Sequence, residues 1–299
     1  MASIRERYGE FFKKLGEYSH AAAKIDETNV YQKANPNTKK MMDILVGDNM
    51  KEGSRLEGKE NFKAFLEAVK AGKKGLILME HYSNTDLPAI IYLLQHDLGE
   101  EGKDLADRIV AIAGMKLNEA NPMVRAFAES FTRVVIYPTR SLTKAEENAQ
   151  TEEERIAEEK KSRTINLAAM RAMDECKRNG EVILVFPSGT RYRPGQPETK
   201  RGLKEIDSYL RMFDVMILVS VNGTCLTIDV NNPDDMLADI VEPAVQILAA
   251  SPVIECKPFR KDFLATLPAD HPDPKQAVID HVMEYLEKQH AKIERDGRL

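Results

Sequence analysis

The sequence predicts an α/β fold, a largely parallel or mixed sheet flanked by helices, with a small N-terminal helical domain ahead of it. Three observations carry that expectation. From Lys73 onward, short apolar runs alternate with stretches of helical period, the pattern of strand–helix–strand units. The runs are continuous rather than alternating polar and apolar, as strands buried on both faces are. Before Lys73 the chain is charged, and its apolar residues fall at helical spacing. A chain of 299 residues suits one large domain with a small appendage, so the boundary is placed at 72/73, with the helical domain over 1–72 and the α/β domain over 73–299.

The elements follow in order. Tyr8, Phe11, Phe12 and Leu15, then Met41, Met42, Ile44 and Leu45, then Phe62, Phe65, Leu66 and Val69 form three apolar stripes. They predict helices broken around Asn35-Pro36-Asn37 and again over 47–58. Leu76–Met79 is the first strand, followed by the polar segment Glu80–Asp86 and a helix from Leu87, with Pro88 in its first turn. Arg108–Gly114 and Thr132–Tyr137 are the next strands, with a helix around Pro122–Phe127 between them. The stretch 141–179 is a long helical excursion, where Thr151 and Glu154 fit a capping box. Its first part, Glu152–Arg163, is a mixed-charge solvated face, and Ile165–Cys176 is a packing stripe. Glu181–Phe186 and Val215–Val221 are the fourth and fifth strands, Leu226–Val230 and Val253–Cys256 are further candidates, and Pro274–Glu294 is a closing amphipathic helix.

Composition excludes several classes. A net charge of −5 with interspersed charges argues against a nucleic-acid-binding protein, which needs a basic footprint. Cys176, Cys225 and Cys256 are far apart, with neither disulfide nor metal-ligand spacing, so no metal is expected and a reducing cytoplasmic compartment fits. No G-x-G-x-x-G follows a strand and no phosphate-binding Walker loop exists, so no nucleotide cofactor is expected. Leu76–Met79 and Val215–Val221 are too short to span a bilayer, and the N-terminal MASIRERYGEFF has no apolar signal core. Lying on a membrane surface stays open.

The chemistry-bearing residues gather just past strand ends. His81 and Asp86 occupy the turn after the first strand, and open α/β sheets bind ligands at that edge. Two readings compete. In one, Asp86 is only a helix cap and His81 a loop residue. In the other, Asp86 holds one imidazole nitrogen and leaves its partner as a general base. After the fourth strand, Gly189 permits a sharp turn. Arg191 and Arg193 follow as alternate residues on one side of an extended stretch, two guanidinium forks suited to a dianionic phosphate. Arg140 follows the third strand.

These motifs, His81–Asp86, Ile136–Arg140 and Phe186–Arg191 in that order, resemble those of glycerolipid acyltransferases. Pro187, Ser188, Gly189, Arg191, Arg193 and Pro194 are similar to the P-S-G-x-R-x-R-P of the soluble, chloroplast-type glycerol-3-phosphate 1-O-acyltransferases. Most lysophosphatidate acyltransferases carry glutamate where Ser188 stands. Ala113-Gly114-Met115-Lys116 also resembles a chloroplast-type stretch, whereas Pro138-Thr139-Arg140-Ser141 replaces that group's Lys-Lys-His run. The resemblance implies acyl transfer from acyl carrier protein or acyl-CoA to the sn-1 hydroxyl of glycerol 3-phosphate, with no cofactor. It makes His81 the base and Asp86 its orienting group. Arg140, Ser188, Gly189, Arg191 and Arg193 become the acceptor-binding set. An amphiphilic product adds an expectation of peripheral membrane contact. A 1-acylglycerol-3-phosphate acyltransferase and a non-catalytic phosphate-binding protein are the alternatives.

Overall fold

The computed structural model describes residues 2–119 and 121–296. The chain packs as two compact units, one made of 1–8, 43–109 and 180–299, the other of 9–42 and 110–179. Both combine helices and strands, so the fold class is α/β.

In the first unit the strand Gly75–Met79 is central. Val182–Val185 pairs with it in parallel on one side and Val215–Asn222 in parallel on the other. Ile247–Ala250 then pairs antiparallel with Val215–Asn222, and Arg55–Glu57 pairs in parallel with Ile247–Ala250, so the sheet is mixed. The central strand has neighbours on both edges and layers on both faces, which is why Leu76, Ile77, Leu78 and Met79 are all 0% exposed. Helix Lys59–Lys70 lays the expected stripe of Phe62, Phe65, Leu66 and Val69 inward. Its fit against the strand depends on Gly75: a Cβ there would come within 2.7 Å of Val69 Cγ2 and 2.8 Å of Phe65 Cζ. Helix Pro274–Arg295 is capped by Asp273, whose side chain accepts from Gln276 N at 3.1 Å. It buries Val278, Ile279, Val282 and Leu286. Its Gln289 donates to Ala249 O at 2.6 Å, locking the helix to the sheet.

The second unit holds the strands Tyr31–Gln32, Arg133–Ile136 and most of Ile109–Gly114. Arg133–Ile136 pairs antiparallel with the first of these and in parallel with the last. Its longest helix, Glu152–Arg178, starts at Thr151, whose side chain accepts from Glu154 N at 3.2 Å. Glu154 reaches back to Gln150 N at 2.8 Å, so the box closes one residue before its expected place. Intrahelical pairs such as Arg163–Glu159 line the solvated half, and Ile165, Ala169, Met173 and Cys176 are buried. Ile25, Val30, Met115, Val135, Tyr137 and Ile165 form one core cluster of this unit.

The first 72 residues, read from sequence as a helical domain, contribute three helices, Ile4–Tyr18, Pro36–Asn49 and Lys59–Lys70. They also contribute the short strands Tyr31–Gln32 and Arg55–Glu57 and are shared between the two units. Two or three residues cannot show a period of two, so these strands left no mark in the pattern. Ile247–Ala250 was missed for a different reason: the run I-L-A-A is equally compatible with a helix. No helix of the described residues is long and apolar enough to cross a membrane.

Candidate active site

The registers Leu78–Val185 and Met79–Val219 bring the carboxyl ends of three parallel strands to one edge of the first unit. Past the central strand the chain turns sharply through Glu80–Thr85 into helix Asp86–Asp97. Asp86 does not cap this helix. Its carboxylate faces backward, where one oxygen, Oδ2, accepts from Tyr82 N at 2.6 Å, from Ser83 N at 2.8 Å and from His81 Nδ1 at 2.9 Å. Thr85, at the cap position, makes no capping bond. Its hydroxyl pairs with Ser83 Oγ at 2.7 Å. The turn therefore exists to converge on Asp86, whose side chain is 3% exposed.

An ionised carboxylate can only accept, so His81 Nδ1 carries the proton and Nε2 is the basic nitrogen. The ring is stacked on Phe186, centroids 3.9 Å apart and planes 14° from parallel. The His81 carbonyl accepts from Tyr192 N at 2.8 Å. The fourth strand's loop thus fixes both ends of His81. The imidazole keeps 18% of its side-chain surface and, with Tyr82, Ser188, Tyr192 and Lys200, lines a narrow recess. Next to the recess lies an open groove of about 240 Å³.

That loop is itself held by Gly189, at φ +64°, where a Cβ would meet Leu203 Cδ1 at 2.5 Å. Ser188 Oγ donates to Thr190 O at 2.7 Å. The two arginines that follow turn toward carboxylates of a single later segment. Arg191 Nη1 pairs with Asp239 Oδ2, which also accepts from Asn84 Nδ2 at 2.8 Å. Arg193 Nη2 donates to Asp234 Oδ1 at 2.8 Å. Arg140 belongs to the other unit, where it is exposed in helix Thr139–Asn148.

A sequence profile of the Acyltransferase family matches residues 54–218, more than half of the chain. The chain belongs to the Acyltransferase family. No curated protein matches it. The match contains His81, Asp86, Arg140, Ser188, Gly189, Arg191 and Arg193, so the chemistry-bearing residues read from sequence fall inside the family segment.

Several residues around this acyltransferase's site escape sequence reading. Asp239 is 0% exposed. Burial pushes its pKa above the ordinary carboxylate value, with Arg191 and Asn84 pulling the other way. It bridges the histidine turn to the arginine loop through those two partners. Glu80 is also buried. It accepts from Val221 N at 3.0 Å, from His290 Nδ1 at 2.9 Å and from the Tyr82 hydroxyl at 3.2 Å. Burial, and then the Glu80 charge, push the Tyr82 hydroxyl far above its usual range, so it stays protonated. His290 bonds Glu294 through Nε2 at 3.1 Å. Both its nitrogens face carboxylates, which marks an imidazolium. Asp239 and His290 lie beyond the family segment, in stretches without a motif. Cys225 is buried beside Thr85 Oγ1 at 3.4 Å. Burial raises its thiol pKa, the opposite of what a nucleophile requires.

Proposed function

We propose that this acyltransferase moves a fatty acyl group from a thioester, acyl carrier protein or acyl-CoA, to the sn-1 hydroxyl of glycerol 3-phosphate, forming lysophosphatidate. The observation that carries the proposal is the His81–Asp86 pair, with Nδ1 held at 2.9 Å and the ring open to the recess. Nε2 takes the hydroxyl proton as the oxygen attacks the thioester carbonyl, and Asp86 stabilises the imidazolium. The tetrahedral intermediate collapses, the C–S bond breaks and the imidazolium returns the proton to the departing thiolate. Ester and free thiol result, with no acyl-enzyme. Arg140, Arg191 and Arg193 are assigned to the acceptor's phosphate, with Ser188 and Gly189 shaping the loop that presents the last two. The P-S-G-x-R-x-R-P likeness supports glycerol 3-phosphate over an acylated acceptor. The protein works in the cytoplasm, touching membranes where its amphiphilic product leaves.

Acceptor preference tests the proposal. Purified protein is given acyl-CoA or acyl carrier protein as donor and glycerol 3-phosphate, 1-acylglycerol 3-phosphate or glycerol as acceptor. Glycerol 3-phosphate should give the highest kcat/KM. Preference for 1-acylglycerol 3-phosphate would replace the acceptor assignment while leaving the chemistry, and no transfer to any acceptor would remove the enzymatic role.

A further inference from the structure

We infer that Lys200 is a substrate-binding residue of this site, its ammonium contacting the acceptor's phosphate while His81 Nε2 faces the acceptor's hydroxyl. The inference rests on the acceptor reading above. Lys200 lines the recess that His81, Ser188, Tyr82 and Tyr192 also line. Its Nζ is 5.9 Å from the centre of the Tyr82 ring and 5.8 Å from that of Tyr192, a spacing at which an aromatic face attracts a cation. The side chain keeps 32% of its surface, so the charge is half-sheltered and still reachable.

Partners separate Lys200 from Arg191, which pairs with the wholly buried Asp239. Lys200, like Arg193 with the 87% exposed Asp234 at 2.8 Å, faces an exposed carboxylate. The carboxylate facing Lys200 is Glu287, at 3.4 Å and 67% exposed, an ion pair of the kind water weakens. The recess itself has room for about one water, about 10 Å³, so the phosphate takes the place of Glu287 at its mouth, in the groove of about 240 Å³ that Lys200 and Glu287 both line. The ammonium is a compact point charge with three rotatable donors, which accommodates a phosphate from any side. Its backbone is held in place. Lys200 N donates to Pro197 O at 3.0 Å, and Thr199 Oγ1 accepts from Arg193 N at 2.9 Å. Two residues on, a Cβ at Gly202 would come within 2.5 Å of Ile279 Cγ2, so this loop is pressed onto helix Pro274–Arg295. The neighbouring cations do not share the position: Arg201 is 64% exposed and 4.0 Å from Asp280, and Lys204 is exposed. Of the three cations Lys200, Arg201 and Lys204, Lys200 alone lines the His81 recess.

The test compares wild type, Lys200→Ala and Lys200→Arg in full-length protein. Calorimetry without donor measures glycerol 3-phosphate and inorganic phosphate binding, and steady-state kinetics vary donor and acceptor separately. Lys200→Ala should weaken binding of both phosphate probes and raise the KM for glycerol 3-phosphate by about tenfold or more, the worth of a charged hydrogen bond. The thioester's KM should stay put, the preference for glycerol 3-phosphate over glycerol should shrink by the same factor, and Lys200→Arg should recover most of the loss. Equal losses with glycerol and glycerol 3-phosphate would mean that Lys200 only braces the tyrosines. A rise confined to the donor's KM would move the contact to the donor's phosphate. Either result overturns the inference. If wild type turns out to prefer another acceptor, the acceptor reading fails, yet inorganic phosphate still judges Lys200: unchanged affinity in Lys200→Ala sinks the inference as well.

Discussion

One oxygen of Asp86 gathers a ring nitrogen and two backbone amides, and the proposed chemistry depends on that convergence. Asp86→Asn preserves shape and can still accept from the amides, but it removes the charge that steadies an imidazolium. Its turnover should fall by about 10²–10⁴-fold, the scale of positioned acid–base catalysis, while its melting temperature changes little. Turnover and melting measured on one sample decide this: wild-type turnover would reduce Asp86 to a turn residue. Asp239 has a different job. It is the buried counter-charge of Arg191, and truncating one partner of such a pair costs about 3–5 kcal/mol. Asp239→Ala should lose about that much in urea denaturation and should raise the acceptor's KM, because Arg191 and Asn84 both lose their anchor. A variant as stable as wild type would show that Arg191 finds another partner.

At the level of elements, helix Pro274–Arg295 is fastened to the end of the central strand by His290. Burial, the largest single influence, pulls the His290 pKa down, but Glu80 and Glu294 outweigh it and set it above the ordinary histidine value. A raised folded-state pKa contributes stability that is complete below about pH 6.5, the unfolded value. That stability is lost as pH rises through the folded value. His290→Gln should therefore melt below wild type at pH 6 and approach it at pH 9. A gap that stays constant with pH would mean that His290 acts by packing alone. This clamp was invisible in the sequence, where His290 is one polar residue in a charged helix and Glu80 one of several polar residues in a turn. Elements with long, continuous patterns were legible: the strands around Leu76–Met79, Val182–Val185 and Val215–Val221, the stripe Phe62–Val69 and the closing helix all form where expected. The pair strands Arg55–Glu57 and Ile247–Ala250 were not, because their identity comes from pairing with each other and with Val215–Asn222 rather than from local preference. The site divides the same way. His81 and Asp86 are five positions apart and announce each other, whereas Glu80 with His290 and Asn84 with Asp239 lie 210 and 155 positions apart and meet only through the fold.

Across the whole molecule, the residues assigned to chemistry fall in the unit built on the Gly75–Met79 strand, and Arg140 falls in the other. The three arginines should therefore separate in their effects. Arg191→Ala should lose both stability and acceptor affinity, because a buried partner depends on it. Arg193→Ala should lose acceptor affinity with little change in melting, since Asp234 is 87% exposed. Arg140→Ala, exposed as it is, should leave melting unchanged and report only on the acceptor's KM. If all three leave that KM unchanged, the phosphate is held elsewhere. The most direct measurement of the central claim is thiol release from acyl-CoA or acyl carrier protein, with and without glycerol 3-phosphate, by wild type and His81→Ala. In wild type, release should depend on glycerol 3-phosphate and match the ester formed, and in folded His81→Ala it should drop by about 10²–10⁴-fold. A folded His81→Ala protein that keeps more than about a tenth of wild-type release, against that expected drop, would contradict the role of His81 as the base.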